Sequence, residues 1–188
     1  EQIRASLGEA PTAVEPLDES RVVIVGDPGT IIRTTDGGLN WHSVPSGTAG
    51  WLEDVDMAGD AGVAVGSGGT VLVTADGGAS WSPKDAGTTE RLHAVSFSET
   101  GFGTAVGSRG TMIRTDDAGM TWTTVPGGTN LALRDVSFVD DIVGTVVGDH
   151  GVMLRTTTGG IPPGTLSGIE VPSLPGWYRL DQNYPNPF

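Results

Sequence analysis

The feature that most constrains this chain is a repeat. The stretches VGDPGT, VGSGGT, VGSRGT and VGDHGV set equivalent glycines at Gly26, Gly66, Gly107 and Gly148, spaced by 40, 41 and 41 residues. A short apolar run follows each: TIIRT, TVLVT, TMIRT and VMLRT. Behind the first three come TTDGGLNW, TADGGASW and TDDAGMTW, which end on Trp41, Trp81 and Trp122. A further apolar-polar element, WLEDVDM, RLHAVSF or ALRDVSF, precedes the last three glycines. Alternation in these elements is period two, as in Asp135-Val136-Ser137-Phe138, and no window longer than ten residues keeps a helical period.

Four short strands per unit, at about 41 residues, is the signature of a propeller blade. The fold class expected is therefore all-β: a small β-propeller of four four-stranded blades in residues 1–160. The blades fall at about 10–47, 50–87, 90–128 and 131–160. The fourth unit has Pro163 in the tryptophan column and Thr158 in place of the aspartate. Residues 2–6 can be laid over 40–44, so the N-terminal strand is expected to complete the last blade and close the ring. An open arc, or an arc completed by another subunit, stays open as an alternative.

Composition excludes several function classes. The chain has 188 residues, with Lys+Arg of 10 against Asp+Glu of 23 and a formal charge of −13. Nucleic acid and anionic membranes both need clustered basic residues, so neither is an expected partner. There is no cysteine, which removes disulfides and thiolate metal sites. No apolar run approaches the roughly 20 residues of a membrane helix. No signal peptide is visible; the expectation is that Glu1 follows its removal. Neither a P-loop nor G-x-S-x-G is present, and no helix follows GFGTAV or GSGGTV to make a dinucleotide site. No cofactor and no metal are expected. His42, His93 and His150 occupy different columns of the repeat and read as surface or turn residues.

Columns of the repeat separate scaffold from variable surface. Leu52, Leu92 and Leu133 share one, as do Val55, Val95 and Val136, and both columns read as core. The column before the leucines holds Trp51, Arg91 and Ala132, and the one after them Glu53, His93 and Arg134. Positions that change character from blade to blade are candidate ligand contacts, so Trp51, Arg91 and Arg134 form a candidate binding face. A second candidate column holds Arg33, Arg114 and Arg155, with Val73 in the second unit. Its alternative reading is a solvated rim with cross-strand ion pairs.

The motif T-x-D-x-G-x-x-W resembles the Asp-box of the bacterial neuraminidase repeat. Together with VG-x-x-G-T it is similar to the propellers of the photosystem II stability and assembly factor family, over roughly residues 10–160. The residues themselves give Asp36, Asp76 and Asp117 a structural role, their carboxylates accepting backbone N–H groups across a Gly turn. Trp41, Trp81 and Trp122 would then cover the hairpin. The sialidase activity that an Asp-box implies needs a tyrosine nucleophile, and the chain's tyrosines, Tyr178 and Tyr184, lie outside the repeats. No catalytic residue is assigned. The photosystem resemblance implies arginine-mediated docking of protein partners.

After Gly160 the texture changes. Residues 161–179 carry prolines and glycines without a repeat and read as an extended linker. Residues 180–188, LDQNYPNPF, resemble the opening of the C-terminal sorting domain of type IX secretion cargo. In that family a β-sandwich follows the string; the sequence given ends at Phe188. The resemblance implies export by the type IX machinery to the outside or cell surface of a Gram-negative bacterium. Tail residues expected to sort or dock are Trp177, Leu180, Gln182, Asn183, Tyr184, Pro185, Asn186, Pro187 and Phe188. Pro185 and Pro187 cannot donate ladder hydrogen bonds, so strand addition is expected at 168–171 or 177–180, with Tyr184 and Phe188 as anchors.

The function expected is a secreted, non-enzymatic propeller that binds a protein or glycan. The alternative is a structural subunit whose tail docks on a neighbour to build an oligomer or filament. A divergent glycoside hydrolase is a third reading, and it would need an acidic cluster in the channel.

Overall fold

The computed structural model describes residues 10–157. They form fifteen strands in four antiparallel sheets, each strand pairing with its neighbours in sequence. Blade 1 contains β1 (Ala10–Pro16), β2 (Val22–Asp27), β3 (Thr30–Thr34) and β4 (His42–Ser43). Blade 2 contains β5 (Leu52–Ala58), β6 (Ala61–Gly66), β7 (Val71–Thr74) and β8 (Ser82–Lys84). Blade 3 contains β9 (Leu92–Phe97), β10 (Gly103–Gly107), β11 (Met112–Thr115) and β12 (Thr123–Val125). Blade 4 contains β13 (Leu133–Phe138), β14 (Gly144–Gly148) and β15 (Met153–Thr156). The protein is an all-β propeller of four blades. The strand expected from residues 2–6, the linker 161–179 and the string 180–188 lie outside the described residues.

The blades pack in chain order. The inner strands meet in sequence, β1 on β5, β5 on β9 and β9 on β13. Each meeting encloses an apolar core made by the back of one blade and the front of the next. Val23, Val25 and Ile31 of blade 1 pack on Leu52, Val55 and Trp81 of blade 2. Val63, Val65 and Val71 of blade 2 pack on Leu92, Val95 and Trp122 of blade 3. The third core joins Val106 of blade 3 to Leu133, Val136 and Val146 of blade 4. The leucine column is completely buried, and each leucine so placed stabilises by about 1.5–3 kcal/mol. Among the described residues there are three such cores for four blades, and β13 makes no comparable packing on β1.

Side chains on the inner strands also stitch neighbouring blades. The Thr12 hydroxyl donates to the Leu52 carbonyl at 2.6 Å. Val95 and Phe97 donate their amides to the carboxylates of Asp54 and Asp56 at 2.9 and 2.7 Å, and Phe138 donates to the Ser96 hydroxyl at 3.1 Å.

Outer hairpins are closed by the T-x-D-x-G-x-x-W turn, with nearly identical geometry in three blades. In blade 2 the Thr74 hydroxyl donates to Asp76 at 2.8 Å and accepts the Gly78 amide at 3.0 Å. Asp76 also accepts the Ser80 amide and hydroxyl. Asp36 and Asp117 repeat these bonds with Asn40 and Thr121. The indole N–H of Trp81 donates to the Gly78 carbonyl at 3.2 Å, and that of Trp122 to Gly119 at 3.0 Å. All three carboxyls are held down to about 2, Asp36 mainly by the Asn40 amide, Asp76 and Asp117 mainly by the Ser80 and Thr121 hydroxyls. These acids are therefore turn-builders.

Thr74 is buried, and its hydroxyl joins both halves of the turn. The expected effect of Thr74→Val is a loss of about 1–3 kcal/mol, because a buried amide and a carboxylate each lose a partner. Urea denaturation of the variant against the parent measures it.

Candidate functional site

The glycine that defines the repeat also positions the candidate site. A Cβ on Gly66 would lie 2.0 Å from the Trp51 carbonyl oxygen, and one on Gly107 2.0 Å from that of Arg91. A side chain there is sterically excluded, which is why every unit keeps glycine. The space lets the chain entering each inner strand cross close over the end of the second strand. Ser67 then donates its amide to Trp51 O and Ser108 to Arg91 O, both at 2.8 Å, and Asp149 to Ala132 O at 2.9 Å. The backbone of the Trp51, Arg91 and Ala132 column is thus clamped at one end of the sheets.

Two residues further on, just past the leucine column, every inner strand carries a β-bulge. Pairing skips Thr12, Glu53, His93 and Arg134, between register positions that are otherwise regular. A bulge frees its residue from the ladder and re-aims the side chain. The two variable columns of the sequence are therefore the strand entry and the bulge, side by side at the same mouth.

Their side chains gather at this mouth on blades 2, 3 and 4 in three neighbouring groups, with His93 within the electrostatic reach of Arg91 and Arg134. Trp51 is 49% exposed, and the Arg91 guanidinium lies 5.1 Å from its ring centroid. Arg91 also pairs with Glu53 through Nη2, while its buried Nε finds no acceptor among the described residues. His93 Nε2 lies 3.1 Å from the Ser108 hydroxyl. Burial, then the charges of Arg134 and Arg91, push the imidazole below its ordinary pKa, so it is neutral near pH 7. Arg134 makes a two-pronged pair with Asp149, at 2.8 and 2.9 Å. Arg109 and His150 extend the cluster from the turn between the second and third strands. Both hold left-handed backbone, with φ of 54° and 57°, where blade 2 has Gly68.

Trp51, Arg91 and Arg134 are brought together, and Glu53 and His93 belong with them. The repeat sets His93 in a column without another histidine, whereas the residues around it come from both columns. The second arginine column stands apart, toward the T-x-D-x-G-x-x-W end of the sheets. Arg33 is half-buried beside the Gly77 turn of blade 2. Arg114 lies over the Phe102 ring at 4.7 Å, and Arg155 is exposed. The tail residues Trp177, Leu180, Gln182, Asn183, Tyr184, Pro185, Asn186, Pro187 and Phe188 lie outside the described residues.

An acidic group invisible to the repeat pattern sits on the inner strands. Burial, then Asp56 and Asp54, raise Glu15 from the ordinary 4.5 to about 7. Burial likewise raises Asp54 and Asp56 despite the amides they accept. Among the described residues no three His, Asp or Glu side chains are grouped to hold a metal ion.

The sequence profile described as photosynthesis system II assembly factor YCF48 matches residues 2–102 and, overlapping them, residues 52–132. The chain belongs to this family. A comparison with curated protein sequences finds no match. Among solved structures, YCF48 from Cyanidioschyzon merolae is similar at 22% identity and a TM-score of 0.63, over 85% of this chain and 57% of that one. YCF48 bound to D1 peptide is similar at 20% identity and a TM-score of 0.61, over 82% of this chain and 57% of that one. The computationally designed Ika4 protein is similar at 16% identity and a TM-score of 0.69, over 82% and 94%. At these identities the likeness is one of fold, and the chain spans a little over half the length of the YCF48 structures.

The acidic inner strands generate a pH prediction. Glu15 binds its proton more tightly folded than unfolded, so its stabilising contribution is complete below about 4.5 and is lost as pH rises through about 7. Glu15→Gln removes this loss. Thermal melts should show the variant gaining on the parent as pH rises from 5 to 8 and matching it most closely at the acid end.

Proposed function

We propose that this chain is an exported, non-catalytic binding module of the YCF48 type, which captures an extended segment of a partner protein on its Trp51 face. The observation that carries the reading is the half-exposed Trp51 ring with the Arg91 guanidinium against it, clamped at the mouth of the inner strands. Aromatic and arginine side chains on a rigid support make the contacts that dominate protein recognition. A guanidinium and a neutral imidazole offer donors to peptide carbonyls and carboxylates, and Trp51 offers an apolar platform. A neutral glycan would use the platform but bring no charge to the Arg91–Glu53 and Arg134–Asp149 pairs beside it. That a relative is known as YCF48 bound to D1 peptide supports a peptide as the class of ligand. The non-catalytic part rests on the acids: Asp36, Asp76 and Asp117 are spent on turns, Asp54 and Asp56 on amides of the next blade. Export by the type IX route rests on LDQNYPNPF at 180–188.

The test is fluorescence titration with a panel of extended peptides, each made with a free and an amidated C-terminus. Trp51→Ala and Arg91→Ala are each expected to weaken binding by about 2 kcal/mol or more, the size of an interface hot spot. Arg155→Ala, at the other end of the sheets, should leave binding unchanged. Affinity that is insensitive to Trp51 and Arg91 sinks the proposal.

A further inference from the structure

The two ends of the blade series expose faces that are buried everywhere inside it. Val14 is 60% exposed, while its equivalents Val55, Val95 and Val136 are at 4%, 4% and 6%. Trp41 is half-buried, where Trp81 and Trp122 are buried. These residues look toward the blade that would precede blade 1. At the other end Met153 is 56% exposed, where its equivalents Ile31 and Val71 are at 1% and Met112 is half-buried. Val147 is 37% exposed, against 0% for Val25, Val65 and Val106. These look toward the blade that would follow blade 4.

Each open face is chemically a blade junction waiting for its other half. The back of blade 4 carries Thr145, Val147, Met153 and Arg155, residue for residue the same types as Thr104, Val106, Met112 and Arg114 on the back of blade 3. That blade 3 surface is covered by a blade front built on Leu133, Val136 and Val146. The only uncovered blade front among the described residues belongs to blade 1, and it presents Val14, Ile24 and Trp41. Among the described residues both halves are present and are not joined to each other.

We propose that a second copy of this chain supplies them, with blade 1 of each copy seated on blade 4 of the other. Two such front-on-back contacts, related by a two-fold axis, close both ends and leave no apolar face open. The contact extends the pattern of the internal junctions. Asp135 would accept the Val14 amide as Asp54 accepts that of Val95. Arg155 would lie beside the Ser20–Gly37 backbone contact of blade 1 as Arg33 lies beside the Asp60–Gly77 contact of blade 2. Pro16 stands where Phe97 and Phe138 donate amides to the preceding blade, so one inner-strand bond is missing and the pair is reversible. Each copy carries a charge of −13, so salt should strengthen the association.

Sedimentation velocity on the full chain tests this over a concentration series. The expected species is twice 19.3 kDa, and Val14→Asp or Met153→Asp alone should halve the mass. Mixing the two variants should restore a dimer, because each keeps the face that the other has lost. Circular dichroism checks that each variant is folded, and Val14→Ser replaces Val14→Asp if that one is not. A monomeric parent overturns the proposal, as does a dimer that survives both substitutions or a mixture that stays monomeric. Peptide binding at Trp51 is read separately, so the failure of either proposal is distinguishable from failure of the other.

Discussion

Burial of one blade's inner leucine and valine columns against the back of the preceding blade is the interaction on which the structure rests. A single antiparallel sheet of short strands cannot hide both of its faces, and an isolated one is at best marginal. Here each sheet is an insoluble half until the next arrives. The Asp54, Asp56 and Ser96 bonds act only across that junction, so they align what burial has already brought together. The outer turns are local by contrast: the Thr74 and Asp76 network closes within seven residues and needs no neighbouring blade except where Trp81 reaches back into its core.

This division explains the three kinds of column that repeat within the chain. Leu52, Leu92 and Leu133 repeat because a junction demands a branched apolar side chain of one size. Gly66 and Gly107 repeat because the crossing backbone at Trp51 and Arg91 leaves no room for a Cβ. The aspartates of the T-x-D-x-G-x-x-W turn repeat because a carboxylate has the right span to accept an amide and a side-chain donor four residues on. None of these constraints involves a ligand. Positions that these constraints leave free to vary lie, in this chain, at the strand entry and the bulge.

Most of the fold was legible in the sequence, because period, glycine spacing and alternation are one-dimensional signals. Trp51, Arg91 and Arg134 were legible as variable columns beside an invariant leucine. The partnership of His93 with Arg91 and Arg134 was not, since a column comparison asks what equivalent residues share and not which unlike residues meet. Nor was the bulge: Glu53 reads as an ordinary alternating strand position, and only the register shows that the ladder steps over it. The perturbed Glu15 is likewise a product of three dimensions, because the packing of β5 on β1 brings Asp54 and Asp56 to it from about forty residues away. The second arginine column was legible as a column, but its separation from the Trp51 cluster depends on which end of the sheet each occupies.

The bulge has an evolutionary consequence. A residue that the ladder skips can be exchanged without shifting register, emptying a core or stranding a backbone donor. Glu53, His93 and Arg134 already span an acid, an imidazole and a guanidinium on one scaffold, while Thr12 is tied to the next blade by its bond to Leu52. Each of the last three repeats therefore contributes one letter that the ladder does not constrain. Duplicating or exchanging a blade rewrites the message at the mouth while leaving the grammar of the fold untouched.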